Sequence, residues 1–358
     1  MIIRDEVRAT PAYVFQDDAC EVKLDQNEAP EDLPISLRER VEERLRATEW
    51  HRYPELRAMR AAQAIAERDG WDADGVLLGP GSNVLIQAAV IAAGLQRSVL
   101  TVSPTFAVYG QQARILGADL EEVPLVGSSF ALDVEQLESK LERSTGVFFL
   151  TDPAAPTGNR HDDDQVQVLL QTASRNGWLT VIDEAYWAYD GRHRLDDVRG
   201  HEDRISLRTF SKADALGGVR LGYMLGHPDT IREIGKVLLP FNVSGMQSVI
   251  AEFAASDAEA LSLRDARIAS TLSERERVYR ALDAMPNVRI HPSSTNFLLF
   301  SVPDATLVHQ RLLTKGIRIR RQDHLPQLAG HLRVSIGGPS DNQRFLDAMA
   351  SIFDQEAS

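Results

Sequence analysis

The chain has 358 residues, 43% of them hydrophobic, with a formal charge of −13 and a pI near 5.2; it is long enough for one large and one small domain, each with its own core. The acidic balance excludes nucleic acid as the main partner, and the single cysteine, Cys20, leaves no intrachain disulfide to form and has no metal-ligand pattern around it. No apolar run reaches the roughly 18 residues of a membrane span and residues 1–10 carry no signal-type apolar core, so a cytoplasmic protein without membrane attachment is expected.

Residues 1–18 have little periodicity and read as an arm, with Tyr13 its one notable side chain. Val22 to Leu24 is a short extended piece leading into Asp25-Gln26-Asn27-Glu28-Ala29-Pro30, where Asn27 reads as a turn residue with a satisfied amide. Leu37, Val41 and Leu45 recur at helical spacing, as do Leu56, Met59, Ala62 and Ala66. Between these helices Pro54 holds Tyr53 extended. Gly79-Pro80-Gly81-Ser82-Asn83 then opens onto an apolar helix. A Gly loop with a Ser or Asn cap offers unpaired amides and the positive end of a dipole, which can bind phosphate, although most such caps merely cap.

Val99 to Val102 reads as a strand, followed by Ser103-Pro104-Thr105-Phe106 and a helix through Tyr109. Strands at 120–123 and 147–150 alternate with helices at 132–141 and beyond Asp162, which predicts a doubly wound α/β layer structure. Asp162, Asp163 and Asp164 complement the dipole of the helix they open, so no metal is assigned to them. Next, Trp178 to Ile182 is a buried strand ending in Asp183, Glu184 and Tyr186. Ile205 to Thr209 exits into Ser211-Lys212, and Val219 to Leu225, after Gly217-Gly218, carries Arg220 near its start.

Ligands of open parallel sheets sit beyond the carboxyl ends of the strands, so a carboxylate, an amine and a guanidinium can converge on one crevice. Lysine is scarce: of 39 lysines and arginines five are lysine, leaving 34 arginines, and Lys212 alone directly follows a strand. The plainer alternative is a solvated loop lysine beside a structural Asp. A ligand that uses all three groups has a ring nitrogen, a carbonyl and a phosphate, and pyridoxal phosphate is one.

Beyond Leu225 the helix content rises. Residues 240–245 read as a hinge, 258–285 as one long helix, and 288–290, 296–302, 317–320 and 332–336 as strands interleaved with helices near 305–313 and 340–353. The division expected is an N-terminal arm with part of the small domain at 1–45, a large cofactor-binding domain at 46–240 and a small α+β domain at 241–358, with the arm against the small domain. Arg333 interrupts an apolar strand, and buried arginines answer an anion, whether a ligand or a structural salt bridge.

The words VIDEAYWAYD, RTFSKADALGGVRLGY and DPAAPTGN resemble the signature of the fold-type I pyridoxal-phosphate aminotransferases. Within these enzymes the chain resembles the histidinol-phosphate aminotransferase branch, from about Leu24 to the C-terminus. The resemblance implies Lys212 as the covalent anchor and proton carrier, Asp183 at the ring nitrogen and Tyr186 at the phenolic oxygen. It implies Ser82, Asn83, Ser211, Arg220 and a neighbouring subunit's Tyr53 around the phosphate, and Phe106 against the ring; a core phenylalanine and a buried turn tyrosine are the plainer readings of the last two. It gives the substrate to Arg333, Arg320, Tyr13 and Asn27, with Arg318 and Arg321 competing for the role of Arg320 and a docked arm as the alternative for Tyr13. The implied reaction is L-histidinol phosphate and 2-oxoglutarate to imidazole acetol phosphate and glutamate, in a homodimer with shared active sites. An aminotransferase for aromatic or other amino acids, a threonine-phosphate-type decarboxylase and a non-catalytic cofactor-binding regulator are the alternatives. One departure stands out: the family has asparagine before Pro-Thr-Gly, donating to the phenolic oxygen, and this chain has Ala155.

Overall fold

A computed structural model gives the structure of the protein and describes residues 2–12 and 19–354. Tyr13 lies outside the described residues. The described strands are β1 (Val22–Leu24), β2 (Val76–Gly79), β3 (Ser98–Ser103), β4 (Asp119–Pro124), β5 (Gly146–Thr151), β6 (Leu179–Asp183), β7 (Arg204–Thr209), β8 (Gly222–Gly226), β9 (Arg289–Ile290), β10 (Phe297–Ser301), β11 (Ile317–Arg321) and β12 (His331–Ser335). They form a seven-stranded sheet ordered β2-β8-β7-β6-β5-β3-β4 and a five-stranded sheet ordered β1-β11-β12-β10-β9.

Alternation along each central strand gives the large sheet two cores. Val147, Phe149 and Val181 join one cluster while Phe148, Leu150 and Ile182 join the other, because successive side chains leave opposite faces. Both faces are therefore covered, and these strands read as continuous apolar runs. β8 alone among the seven runs antiparallel to its neighbours β2 and β7. It follows β7 without the helical crossover that a parallel return requires, so the end of β7 and the start of β8 lie at one edge of the sheet. Lys212 and Arg220 lie near the two ends of that connection. Arg220 does not lie within a strand as the sequence suggests: the Gly pair and Val219 form a single 3₁₀ turn at residues 217–219, Arg220 takes φ 60°, and the strand begins at Gly222.

The small sheet is amphipathic. Ile317, Ile319, Leu332 and Val334 enter a core with Phe345, Met349 and Ile352 of the helix Pro339–Asp354. Arg318, Arg320, Arg333 and Ser335 alternate with them onto the other face. That face looks toward the large sheet, since Leu299, opposite Arg333, joins a large-sheet core.

Two expectations about the ends of the domains are corrected. Residues 5–9 form a short helix, and Arg4 donates to the carbonyl of Ile115 at 2.6 Å, which docks the arm on the helix Val108–Leu116 of the large sheet rather than on the small domain. None of residues 5–9 is buried, so no apolar stripe announced the helix. The helix Gly245–Ser256, assigned to the small domain from sequence, packs Ala251 and Ala255 with Ala61, Ala62 and Ile65 in a large-domain core. Alanines on both helices permit that approach, and composition carries no sign of it. Among the described residues no helix is long and apolar enough to cross a membrane.

Candidate active site

The floor of the crevice is the carboxyl end of β6. Asp183 is 4% exposed; its Oδ2 accepts from the Tyr109 hydroxyl at 2.6 Å and its Oδ1 from the Ala185 amide at 3.0 Å. Burial pushes this carboxyl up to about 6, against the pull of those two donors. Tyr109 is fixed in turn by Thr151 at 2.9 Å and by its ring stacked on Phe149 at 4.7 Å. Among the described residues no cation meets this carboxylate, and the protonated nitrogen of an aromatic ring would supply one.

Lys212 stands at the exit of β7, half-buried, with Nζ donating to the Gln26 carbonyl at 2.8 Å. Burial, reinforced by Arg333, lowers its amine to about 7. An uncharged amine near neutrality is a competent nucleophile toward a carbonyl carbon. Its nitrogen sits 5.9 Å from the ring centre of Tyr186. The Tyr186 hydroxyl accepts from Asn27 Nδ2 at 2.8 Å, and its ring stands edge-on to Phe297.

The expected helix cap differs in an informative way. Gly81, at φ 90°, holds the cap position of the helix Ser82–Ala89, and no side chain caps it. The first-turn amides are thus left for an anion. A Cβ on Gly81 would lie 3.0 Å from Arg220 Nη2, and one on Gly222 would lie 2.5 Å from the Ser82 amide nitrogen. Only glycines let the guanidinium and the helix start share this cradle, which fits a phosphate. Ser82 is half-buried and Asn83 exposed at that start. Ser211 and Ser335 line a neighbouring cleft of about 410 Å³ that opens past Glu28.

Phe106 is no core residue: 37% exposed, it stands edge-on to Tyr109 at 5.7 Å, within reach of the floor. Tyr53 is not the buried turn tyrosine of the plainer reading, since it is 83% exposed and stacks on Phe241 at 4.7 Å. Arg333 Nη2 donates to the Asp25 carbonyl at 3.0 Å, and its guanidinium lies over Phe297. Arg320 is its cross-strand partner, so the two share a face. Arg318 pairs with Asp25 at 3.1 Å and Arg321 with Asp323 at 2.6 Å. Asn27 is 1% exposed and faces Tyr186, inside the crevice rather than at a surface turn.

Ala155, 7% exposed, packs in one cluster with Tyr186 and Phe297. Asn159 does not replace the missing amide, because its Nδ2 donates to the Phe130 carbonyl at 3.2 Å. Sequence reasoning missed Tyr109, Thr151, Gln26, Asn296 and Ser335 as parts of the site. Tyr109 had a signal, one helical turn beyond Phe106; the others meet their partners only across long chain separations.

The two-sheet architecture, with a buried acid and an amine at neighbouring strand ends, defines the class of the fold-type I pyridoxal-phosphate enzymes. The chain belongs to the class I and II aminotransferases, a family that matches residues 20–349. It is similar to a histidinol-phosphate aminotransferase of Deinococcus radiodurans, with 41% identity over 351 residues covering 98% of this chain and 96% of that one. It shares its fold with the histidinol-phosphate aminotransferase of Clostridium acetobutylicum, at a TM-score of 0.85 and 20% identity over 93% of this chain and 99% of the other. It also shares it with the Sinorhizobium meliloti histidinol-phosphate aminotransferase in complex with pyridoxal-5'-phosphate, at 0.83 and 22% over 94% and 92%.

Proposed function

We propose that this aminotransferase moves the amino group of L-histidinol phosphate to 2-oxoglutarate, giving imidazole acetol phosphate and L-glutamate, a step of histidine synthesis. The observation that carries the reading is the cross-strand pair Arg320 and Arg333, facing a crevice that already has its own phosphate cradle. One amino substrate offers a phosphate and no carboxylate, the other a carboxylate, and paired arginines accept either anion. The identity to the Deinococcus radiodurans enzyme supports the same substrate.

Pyridoxal phosphate supplies an aldehyde carbon and, through its ring, a sink for electrons. Lys212 would hold the cofactor through that carbon and would move the proton between the substrate carbon and the cofactor carbon, first as base and then as acid. Asp183 holds the proton on the ring nitrogen. Tyr186 donates to the phenolic oxygen, and Phe106 covers the ring. Ser82, Asn83, Ser211 and Arg220 hold the phosphate through first-turn amides, hydroxyls and the guanidinium.

The same reading makes the protein a cytoplasmic homodimer. Trp50, Tyr53, Leu239 and Phe241 are exposed, and Tyr53 stacks on Phe241; such apolar exposure suits a second copy, with Tyr53 reaching the other subunit's phosphate. Sedimentation giving a monomer at assay concentration would remove that part. The substrate assignment is tested by turnover of histidinol phosphate against aromatic amino acids and threonine phosphate, with carbon dioxide monitored. Faster turnover of an aromatic amino acid, or carbon dioxide release, would replace it.

A further inference from the structure

The hydrogen bonds around Tyr186 carry a direction. An amide N–H only donates, so in the contact with Asn27 Nδ2 the phenol oxygen is the acceptor. Its own proton is therefore not spent on Asn27, and among the described residues no acceptor takes it. What keeps the amide this way round is Ser335. The Ser335 hydroxyl donates to Asn27 Oδ1 at 3.1 Å and accepts from the Asn27 backbone amide at 2.7 Å. Turning the amide over would put two donors on one serine oxygen, strand the serine proton and use up the Tyr186 proton. The backbone is held as well. Asn27 sits at φ 55°, which Asn tolerates better than most residues, and its carbonyl accepts from Asn296 Nδ2 at 3.0 Å.

We infer that Asn27, locked by Ser335, is a positioning residue that keeps the Tyr186 hydroxyl pointed into the crevice as a donor to the cofactor's phenolic oxygen, in place of the amide that Ala155 lacks. The inference rests on the assignment of Tyr186 made above. A bond accepted from Asn27 also strengthens the bond Tyr186 gives, since linked hydrogen bonds polarise one another. Burial pushes the Tyr186 phenol up, and Arg333 and then the Asn27 contact pull against it.

The test is a pH titration of the visible absorption band of the cofactor-loaded protein, with cofactor retention measured alongside. A donor at the phenolic oxygen stabilises its negative charge and lowers the pH at which the neighbouring nitrogen loses its proton, so losing the donor raises that midpoint. Tyr186→Phe gives the size and sign of the full effect. Asn27→Gly, which the left-handed backbone accepts, raises the midpoint by roughly half to one pH unit, the span of one ordinary hydrogen bond. Asn27→Asp keeps the shape, cannot donate when ionised and shifts it at least as far. Ser335→Ala frees the amide to turn and gives a smaller shift of the same sign. A shift in Tyr186→Phe with none in either Asn27 variant overturns the inference and leaves the assignment of Tyr186 standing. No shift in Tyr186→Phe overturns that assignment and the inference with it.

Discussion

Two acids follow one another at the end of β6 and are neutralised in different ways. Asp183 takes hydrogen bonds from neutral donors, Tyr109 and Ala185. Glu184, fully buried, accepts from Arg208 through Nε at 3.2 Å and Nη2 at 3.1 Å, from Ser206, and from the Arg194 amide at 2.6 Å. Arg208 extends the chain of ion pairs to Asp69 at 3.3 Å, and Asp69 to Arg68 at 2.9 Å. The difference separates the proposed site from its scaffold: the scaffold carboxylate has its countercharge within the protein, whereas the carboxylate of the proposed site meets only dipoles among the described residues, as the ring nitrogen proposed for it requires.

The largest expected effect comes from the group that works above that floor. Lys212→Ala lowers turnover of the cofactor-loaded protein by about a thousandfold or more, as the loss of a combined nucleophile and proton carrier requires. A drop of only a few fold would assign the chemistry to another amine. Glu184→Ala tests the scaffold half of the comparison. It leaves Arg208 buried with Asp69 alone, and denaturant unfolding should register a loss of about 3 to 5 kcal/mol; a loss under about 1 kcal/mol would mean that Asp69 suffices.

Asp183→Asn sharpens the contrast because its sign is opposite. The folded-state pKa of about 6 lies above the ordinary value of 3.8, so the stability linked to the protonated carboxyl is complete below 3.8 and lost as pH rises through about 6. In cofactor-free protein the asparagine variant should therefore match the parent near about pH 3.5 and exceed it near about pH 8, by up to about 3 kcal/mol. Activity should fall in the same variant. Equal denaturant midpoints at the higher pH would place a hidden cation beside Asp183. The smallest effect is at the missing amide: Ala155→Asn should lower the pH midpoint of the visible band by a few tenths of a unit to about one unit, as one added hydrogen bond allows. An unchanged midpoint would mean that Tyr186 already satisfies the oxygen.

Much of this site was legible because its main groups follow strand ends. Apolar β-rich runs located β6 and β7 to within a residue, and Asp183 and Lys212 stand at their exits for reasons of local pattern. Alternation along β11 and β12 likewise put Arg320 and Arg333 on the face opposite Ile319 and Val334. The sequence pattern did not disclose which of two adjacent acids would find an arginine. Nor did it disclose the role of Asn27, whose serine partner is 308 residues away.

Hydrophobic periodicity by itself determined the alternating layers, the amphipathic small sheet and the positions of the reactive side chains at strand ends, because burial constrains each segment locally. The tertiary structure alone decided which charges meet, which way the Asn27 amide turns and that Gly245–Ser256 joins the large-domain core. Those outcomes depend on distances and hydrogen-bond directions between segments far apart in the chain, and such relations exist only once both sheets have packed.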